Sequence, residues 1–481
     1  MAKKLVYDIH DKPKFGNLLI FALQQVLAIL AATIAVPTII GLPTQIPAAI
    51  LGAGIGTLVY QLFTKFKSPV FLGSSFAFLS SLFVALAYGY CGILLGSVVA
   101  GLVYVVIALI IKLVGTKWVD KLMPPVIIGP TVTIIGLSLA GSAMGDIDKA
   151  NADAVNGGYN LIGLLCGLIT FLTVVICSTQ KKYTMPKLIP FILGILAGYV
   201  AASVFTVIGL VANIEYLQII NWDPVVNNFV DADGAFKGVQ AFFSLPKISL
   251  VAAIKELVNG TLTSDILAAN PGAKLIDMGG AVEVVVAFLP VALVVFAEHI
   301  ADHKNLSSII DRDLIKDPGL SNTLLGDGVG SIMGTAFGIC PNTTYGESVG
   351  CVAITGNASV ITITVTAFMC IILSFISPLM ALLQTIPSCV MGGVCLTLYG
   401  FIAVSGLKMF KDLDLNDNKN LFVVSSILIA GIGGLSIQIP YALAENGAVA
   451  KTIQVTSIAT ALILGIITNA VLSKFDKKEE K

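Results

Sequence analysis

Fourteen apolar runs, each close to the length that crosses a bilayer, follow one another along this chain. They fall at about 16–36, 45–64, 69–87, 91–113, 122–143, 158–178 and 187–212, then at about 279–302, 320–338, 339–355, 359–383, 387–405, 420–440 and 450–473. In hydrocarbon, every backbone N–H and C=O must find its partner inside the protein, so runs of this kind cross as helices. Only 12 % of the 481 residues are charged and 56 % are hydrophobic, against roughly 25 % charged in a soluble domain. So few charges cannot clothe a water-soluble globule of this size. Disorder, a nucleic-acid-binding role and a secreted disulfide scaffold are excluded on the same grounds. The expected fold is an all-α polytopic membrane protein. The eight cysteines form no C-x-x-C pair and read as small core residues. The N-terminal stretch MAKKLVYDIHDKPKFG leads straight into a full-length run, so the first helix is expected to insert uncleaved.

An even number of spans puts both termini on one side, and the positive-inside rule says which. With the N-terminus in the cytoplasm, 22 of the 28 basic residues fall on the cytoplasmic side. The exceptions are Lys149, Lys237, Lys247, Lys255, Lys274 and Lys451, four of them in the long polar excursion at 213–278. One missed or extra span would scramble this bias. Within the excursion, Leu245 to Leu257 has helical spacing suited to the membrane interface.

The two halves echo each other, as expected of an inverted repeat. In the third run Gly73-Ser74-Ser75-Phe76 follows Pro69, and in the tenth Asn342-Thr343-Thr344-Tyr345 follows Pro341. The fifth run opens on Pro124 and the twelfth on Pro387. The offsets, 269 and 263 residues, fit seven spans plus seven. Short polar runs at membrane depth, next to a proline that denies a donor, predict broken helices whose free N–H groups face a cavity. The plainer reading is a kinked helix with its hydroxyls packed against neighbours.

Ionisable side chains inside spans are costly unless they are paired or functional. Glu298 and Asp302 are four apart and share one helix face. Two carboxylates so close in a low dielectric resist ionising together, which is what a proton-coupled carrier requires. Glu347 sits at the broken tenth run and Asp327 in the ninth, whereas Glu283 reads as a solvated helix start. His299 and His303 lack a third ligand nearby and read as structural, so no metal is expected. No nucleotide-binding or hydrolase motif is present, and neither a cofactor nor enzymatic activity is expected.

These residues are similar to those of the nucleobase–ascorbate transporter (nucleobase:cation symporter-2) family, of the bacterial uracil permease type. The resemblance runs from about Asn17 to Leu472 and is densest in LGSSFAF (72–78), FAEH (296–299), DPGL (317–320), PNTTYGE (341–347) and VMGGV (390–394). It implies fourteen segments in two inverted repeats of seven, with short extended strands in segments 3 and 10. Residues 16–113 and 279–383 would form a core domain, 122–212 and 387–473 a gate domain that mediates homodimerisation, and 213–278 an extracellular loop. The implied function is proton-coupled uracil import across the cytoplasmic membrane by an elevator-like movement, with lipid around the bundle. Carried over residue by residue, Glu298 and Glu347 would accept from the ring N–H groups. Backbone near Phe76, Tyr345 and Gly346 would meet the carbonyls, Phe76 would pack on the ring, Ala32 would line the pocket and Tyr399 would reach in from the gate. Glu298, Asp302, Glu347 and Asp327 are the candidates for proton coupling.

The pattern departs from uracil carriers in places. Asp302 stands where they can have His, and Asp327 matches an acid of purine carriers. Gln25 and Ser348 replace the usual His and Asn. Purine members typically have Gln where Glu347 stands, and because that residue should touch the base, uracil is favoured and a xanthine or purine symporter is the alternative.

Overall fold

The computed structural model describes residues 5–149, 159–182, 186–187, 189–231, 233–443 and 449–479; Lys3, Lys4 and Lys481 of the orientation argument lie outside them. Each of the fourteen apolar runs holds a helix. In the first half these are α1 (Phe15–Ile39), α2 (Ile46–Phe63), α3 (Leu79–Leu86), α4 (Gly89–Val114), α5 (Pro125–Ser138) with α6 (Ala140–Ile147), α7 (Leu161–Thr179) and α8 (Pro190–Ala212). The polar excursion contributes α9 (Ser249–Asn259). The second half has α10 (Met278–Ile310), α11 (Leu320–Phe337), α12 (Gly346–Thr355), α13 (Val360–Ser374) with α14 (Ser377–Gln384), α15 (Ser388–Lys408), α16 (Asn418–Ile432) and α17 (Ser457–Glu479). Among the described residues, nine helices are long and apolar enough to cross a membrane by themselves. The chain is a multi-pass membrane protein.

Two groups of helices pack side by side. In one, α2 lies against α11 and α13, and α4 lies against α10 and α11. The α2–α11 crossing is built from glycine, because without a hydrophobic drive between helices close backbone approach must hold them together. A Cβ at Gly52 would stand 2.1 Å from the carbonyl oxygen of Gly334. In the other group, α5 packs on α15 and α16, and α7 on α8 and α15.

The runs at 420–440 and 450–473 differ from expectation. The first ends as helix at Ile432 and resumes as strand β3 (Ile437–Leu443); the second opens with β4 (Val449–Val455), paired antiparallel to β3. Gly434, at φ +73°, stops the helix. Pro440 cannot continue one, and the β-branched residues around Gln438 and Thr452 suit a strand. Apolar content marked these residues as membrane, but their local chemistry makes a hairpin, and β4 packs against α10.

The excursion is anchored on protein. Its α9 packs on α4 and α11 with Ala252, Ala253 and Glu256 buried, while Leu250, Val251, Ile254 and Leu257 stay exposed, so one face is held on protein and the other is apolar and open. Ser249 donates through its hydroxyl to the carbonyl of Gly338. Asp265 accepts from Lys247 at 2.7 Å, from the Tyr90 hydroxyl at 2.6 Å and from Gln45 Nε2 at 3.1 Å. Burial pushes the Asp265 carboxyl upward, but the bonds from Lys247, Tyr90 and Thr263 outweigh it and bring the pKa to about 2.

Candidate functional site

The third and tenth runs meet in a two-stranded antiparallel sheet, β1 (Leu72–Ser74) and β2 (Asn342–Thr344), with Gly73 opposite Thr343. Pairing extends beyond the strands. Ser75 N donates to Pro341 O at 3.0 Å, and Tyr345 N donates to Phe71 O at 3.1 Å. The two bonds are images of each other under a shift of 270 residues, which corrects the sequence alignment by one: Phe76 corresponds to Gly346, not to Tyr345. Glycine is needed at 73 because the Tyr345 ring crosses there, and a Cβ would lie 2.3 Å from its carbons.

Side chains satisfy further backbone groups at and around the strands, as hydrocarbon demands. Leu72 N donates to Thr57 Oγ1 at 2.9 Å, and Asn342 Nδ2 donates to Gly52 O at 3.1 Å. Ser348 Oγ accepts from Phe71 N at 3.3 Å and from Gln25 Nε2.

Each strand hands over to a helical start: a 3₁₀ turn at Phe76–Phe78 leading into α3, and α12 at Gly346. Neither start has a side-chain cap, so the first N–H groups, at 76–78 and 346–348, have no intrahelical backbone partner; that of Glu347 turns to its own carboxylate. Tyr345 is different. Its N–H is already bonded to Phe71, so that group is not free for a ligand; Gly346, which is exposed, is the first free donor.

The acids converge here. Asp302, on α10, accepts from Thr344 Oγ1 at 2.7 Å, and a Cβ on Gly346 would stand 3.8 Å from Asp302 Oδ1. Glu298 lies one turn earlier, within electrostatic reach of Asp302, Glu347 and Asp327. Glu298 and Glu347 are both half-buried. Glu347 occupies the first turn of α12, where the helix dipole favours a negative charge. Glu298 Oε2 is buried with no donor.

Phe76 meets Tyr399 of α15 edge-on, with ring centroids 5.4 Å apart. This contact joins the two helix groups. Tyr345 turns its hydroxyl to Ser74 O at 3.0 Å, with Thr33 of α1 at 3.4 Å. Ala32 is fully buried on α1, and it is the neighbouring Thr33 that reaches the tyrosine. Asp327 sits one layer below, where Thr343 donates to its Oδ2 at 3.4 Å and His299 Nδ1 lies 2.7 Å away. Sequence reasoning missed the roles of Thr344, Thr57 and Gln25. Hydroxyl and amide residues in apolar runs carry no spacing that tells a strand cap from an ordinary helical back-bond, though PNTTYGE held the clue for Thr344.

Comparison with known proteins gives the family. The profile of the Permease family matches residues 16–439. The uracil permease of Bacillus caldolyticus is 35 % identical over 98 % of this chain and 95 % of its own length. That of Bacillus subtilis (strain 168) is 34 % identical over 100 % and 97 %, and that of Escherichia coli (strain K12) 31 % over 96 % and 94 %. Among solved structures, the transmembrane domain of a cyanobacterial bicarbonate transporter, BicA, superposes with a TM-score of 0.53 at 14 % identity, covering 96 % of this chain and 100 % of that one. Murine Slc26a9, an anion transporter in the inward-facing state, gives 0.56 at 11 %, covering 97 % and 69 %. These two likenesses concern the fold alone. The chain belongs to the nucleobase:cation symporter-2 permease family: it is a transporter and not an enzyme.

Proposed function

We propose that this permease imports uracil with a proton across the cytoplasmic membrane. The observation that carries the reading is Glu298 Oε2, a buried acceptor without a donor, beside the half-buried Glu347 and two helical starts without a side-chain cap. A buried acceptor left unmatched costs about 1–3 kcal/mol. A pyrimidine dione supplies what is missing: two N–H donors for Glu298 and Glu347, two carbonyls for the N–H groups at 76–78 and 346–348, and a flat face for Phe76. A site that pairs such groups rejects analogues that leave them unpaired. The relatives at 31–35 % identity are uracil permeases by name, which supports the same substrate.

Glu298, Asp302 and Glu347 carry the coupled proton, since acids this close are more easily filled one charge at a time. Potential and pH gradient supply enough: about 2.3 kcal/mol per charge per 100 mV and about 1.4 kcal/mol per pH unit, or roughly several-hundred-fold accumulation.

Fourteen segments in two inverted repeats are supported by mirrored packing: α4 on α11 as α13 on α2, α1 on α12 as α10 on α3, and α7 on α8 as α16 on α17. The group holding both strands is the core, the other the gate and dimer surface, and the core slides against the gate. Phe76–Tyr399 is the seam between them. Both termini are cytoplasmic.

The test is uptake of labelled uracil into proteoliposomes. Concentrative uptake that a protonophore abolishes, with exchange retained, is expected; accumulation that is indifferent to the protonophore ends the proton reading. Asp302 and Asp327, the acids matched in purine carriers, favour xanthine as a second reading. Stronger competition by xanthine than by uracil would select it.

A further inference from the structure

The chain passes between the two helix groups in three places: from α4 to α5, from α8 to α10 through the polar excursion, and from α14 to α15. Two of these connections meet at one side chain. Tyr199, on α8, faces the Trp222 ring edge-on with centroids 6.2 Å apart, and its hydroxyl lies 2.6 Å from Thr385 Oγ1. Trp222 belongs to the excursion. Thr385 is the first residue beyond α14, and α15 begins at Ser388.

The excursion divides at this point. Its first part retraces α8. Ile214 N donates to Gly209 O at 2.8 Å, and Ile219 N and Ile220 N both donate to Thr206 Oγ1 at 3.0 Å. The Tyr216 carbonyl accepts from Asn160 Nδ2 at 3.0 Å, at the start of α7. Ile219 and Ile220 are buried. These partners lie in the group of α5, α7, α8, α15 and α16.

From Asp223 the chain changes sides. Asn221 Oδ1 accepts from Asp223 N at 2.8 Å, and Pro224 suits the first turn of a short helix, Asp223–Phe229, that packs on α14. The α14 helix in turn packs on α2 and α13. Ser244 N donates to Phe375 O at 3.1 Å, and Ser377 N to Phe242 O at 3.0 Å. Farther on, α9 packs on α4 and α11, and Lys274 N donates to Ala87 O at 2.9 Å. These partners lie in the group that holds both strands.

Two bodies joined by chain move only as far as their connections allow, and a few residues at element ends absorb the change in φ and ψ. A ring set between an indole and a hydroxyl fastens both connections to α8, so the yielding residues lie just past it. We propose that Tyr199 is the pivot of the transport movement: it holds both connections to the gate throughout the cycle, and the chain yields at Asn221–Asp223 and at Ile386–Pro387 as the core slides. Tyr199 is then a positioning residue, acting on the rate of the movement and not on the base. The sliding rests on the reading above; the lasting contact does not.

In proteoliposomes, Tyr199→Ala should slow uracil uptake several-fold while calorimetry returns the wild-type affinity. Tyr199→Phe keeps a ring against Trp222, drops the bond to Thr385, and should fall between the two. Trp222→Ala should slow uptake as well, and combining it with Tyr199→Ala should add little, because both act through one contact. Unchanged uptake in Tyr199→Ala, or affinity and melting temperature that fall together with the rate, overturns the proposal. A short bifunctional thiol reagent across Tyr199→Cys and Thr385→Cys, with the half-buried Cys91 and Cys177 changed to Ser, gives a second test. Uptake should be no lower after cross-linking than before it. Uptake stopped by the cross-link, with uracil still bound, shows that the contact opens during transport and overturns the pivot. Spin labels at the exposed Val211 of α8 and Phe83 of α3 report the sliding itself. If their separation ignores uracil, the sliding reading fails, and the cross-link still decides whether the contact lasts through transport.

Discussion

The two broken segments have the same backbone and opposite chemistry. Each runs through a short strand into an uncapped helical start, and their outer bonds, Ser75 to Pro341 and Tyr345 to Phe71, are symmetric. Aligned by that symmetry, Phe76 corresponds to Gly346 and Ala77 to Glu347. One segment contributes an aromatic face and no charge; the other contributes an open backbone and a carboxylate. On the proposed reading, two helical starts related by a repeat grip different sides of one flat ligand because the residues at equivalent positions differ.

The largest test of this division is Glu347→Gln. It removes the charged acceptor from the polar side, so uracil affinity should fall by about 100-fold or more, consistent with a charged hydrogen bond worth about 1.5–3 kcal/mol plus the mismatch left behind. Calorimetry on purified protein reads it, and wild-type affinity would remove Glu347 from contact. On the aromatic side, Phe76→Ala should cost roughly tenfold, in line with about 1–3 kcal/mol for a base stacked on a ring. A loss there equal to that at Glu347 would blur the comparison. Thr344→Val removes the donor to Asp302 and should weaken binding by about 1 kcal/mol, while shifting the pH dependence of uptake.

The segment that carries Asp265 is the control, since Asp265 bonds Lys247, Tyr90 and Gln45 and no residue of either strand. Asp265 has a pKa lowered to about 2 in the fold, against about 3.9 in an unfolded chain. Its stabilisation is therefore complete above about pH 4 and is lost as the pH falls towards 2. Asp265→Asn should lower the melting temperature at pH 6, converge with wild type near pH 2, and leave uracil affinity unchanged.

Much of this architecture was readable from sequence because the bilayer makes backbone satisfaction a strict rule. Pro69, Pro341 and the small polar residues after them announced the breaks, and four-residue spacing placed Glu298 and Asp302 on one face. The hairpin at 437–455 was not readable from hydropathy. Apolar strand and apolar span look alike on that scale, and the distinguishing residues, Gly434 and Pro440, lie at the ends of otherwise helical-looking runs. The His299–Asp327 contact was hidden for a different reason: 28 residues separate its members, and only the α10–α11 arrangement brings them together.

The central claim is that both ring N–H groups of the base are held by carboxylates at the strand crossing. Competition binding with 1-methyluracil and 3-methyluracil tests it most directly, because each methyl deletes one donor and little else. Neither should compete appreciably with uracil at concentrations where uracil saturates the protein. If either methylated base binds as tightly as uracil, that N–H meets no acceptor in the site, and the pairing with Glu298 and Glu347 is wrong.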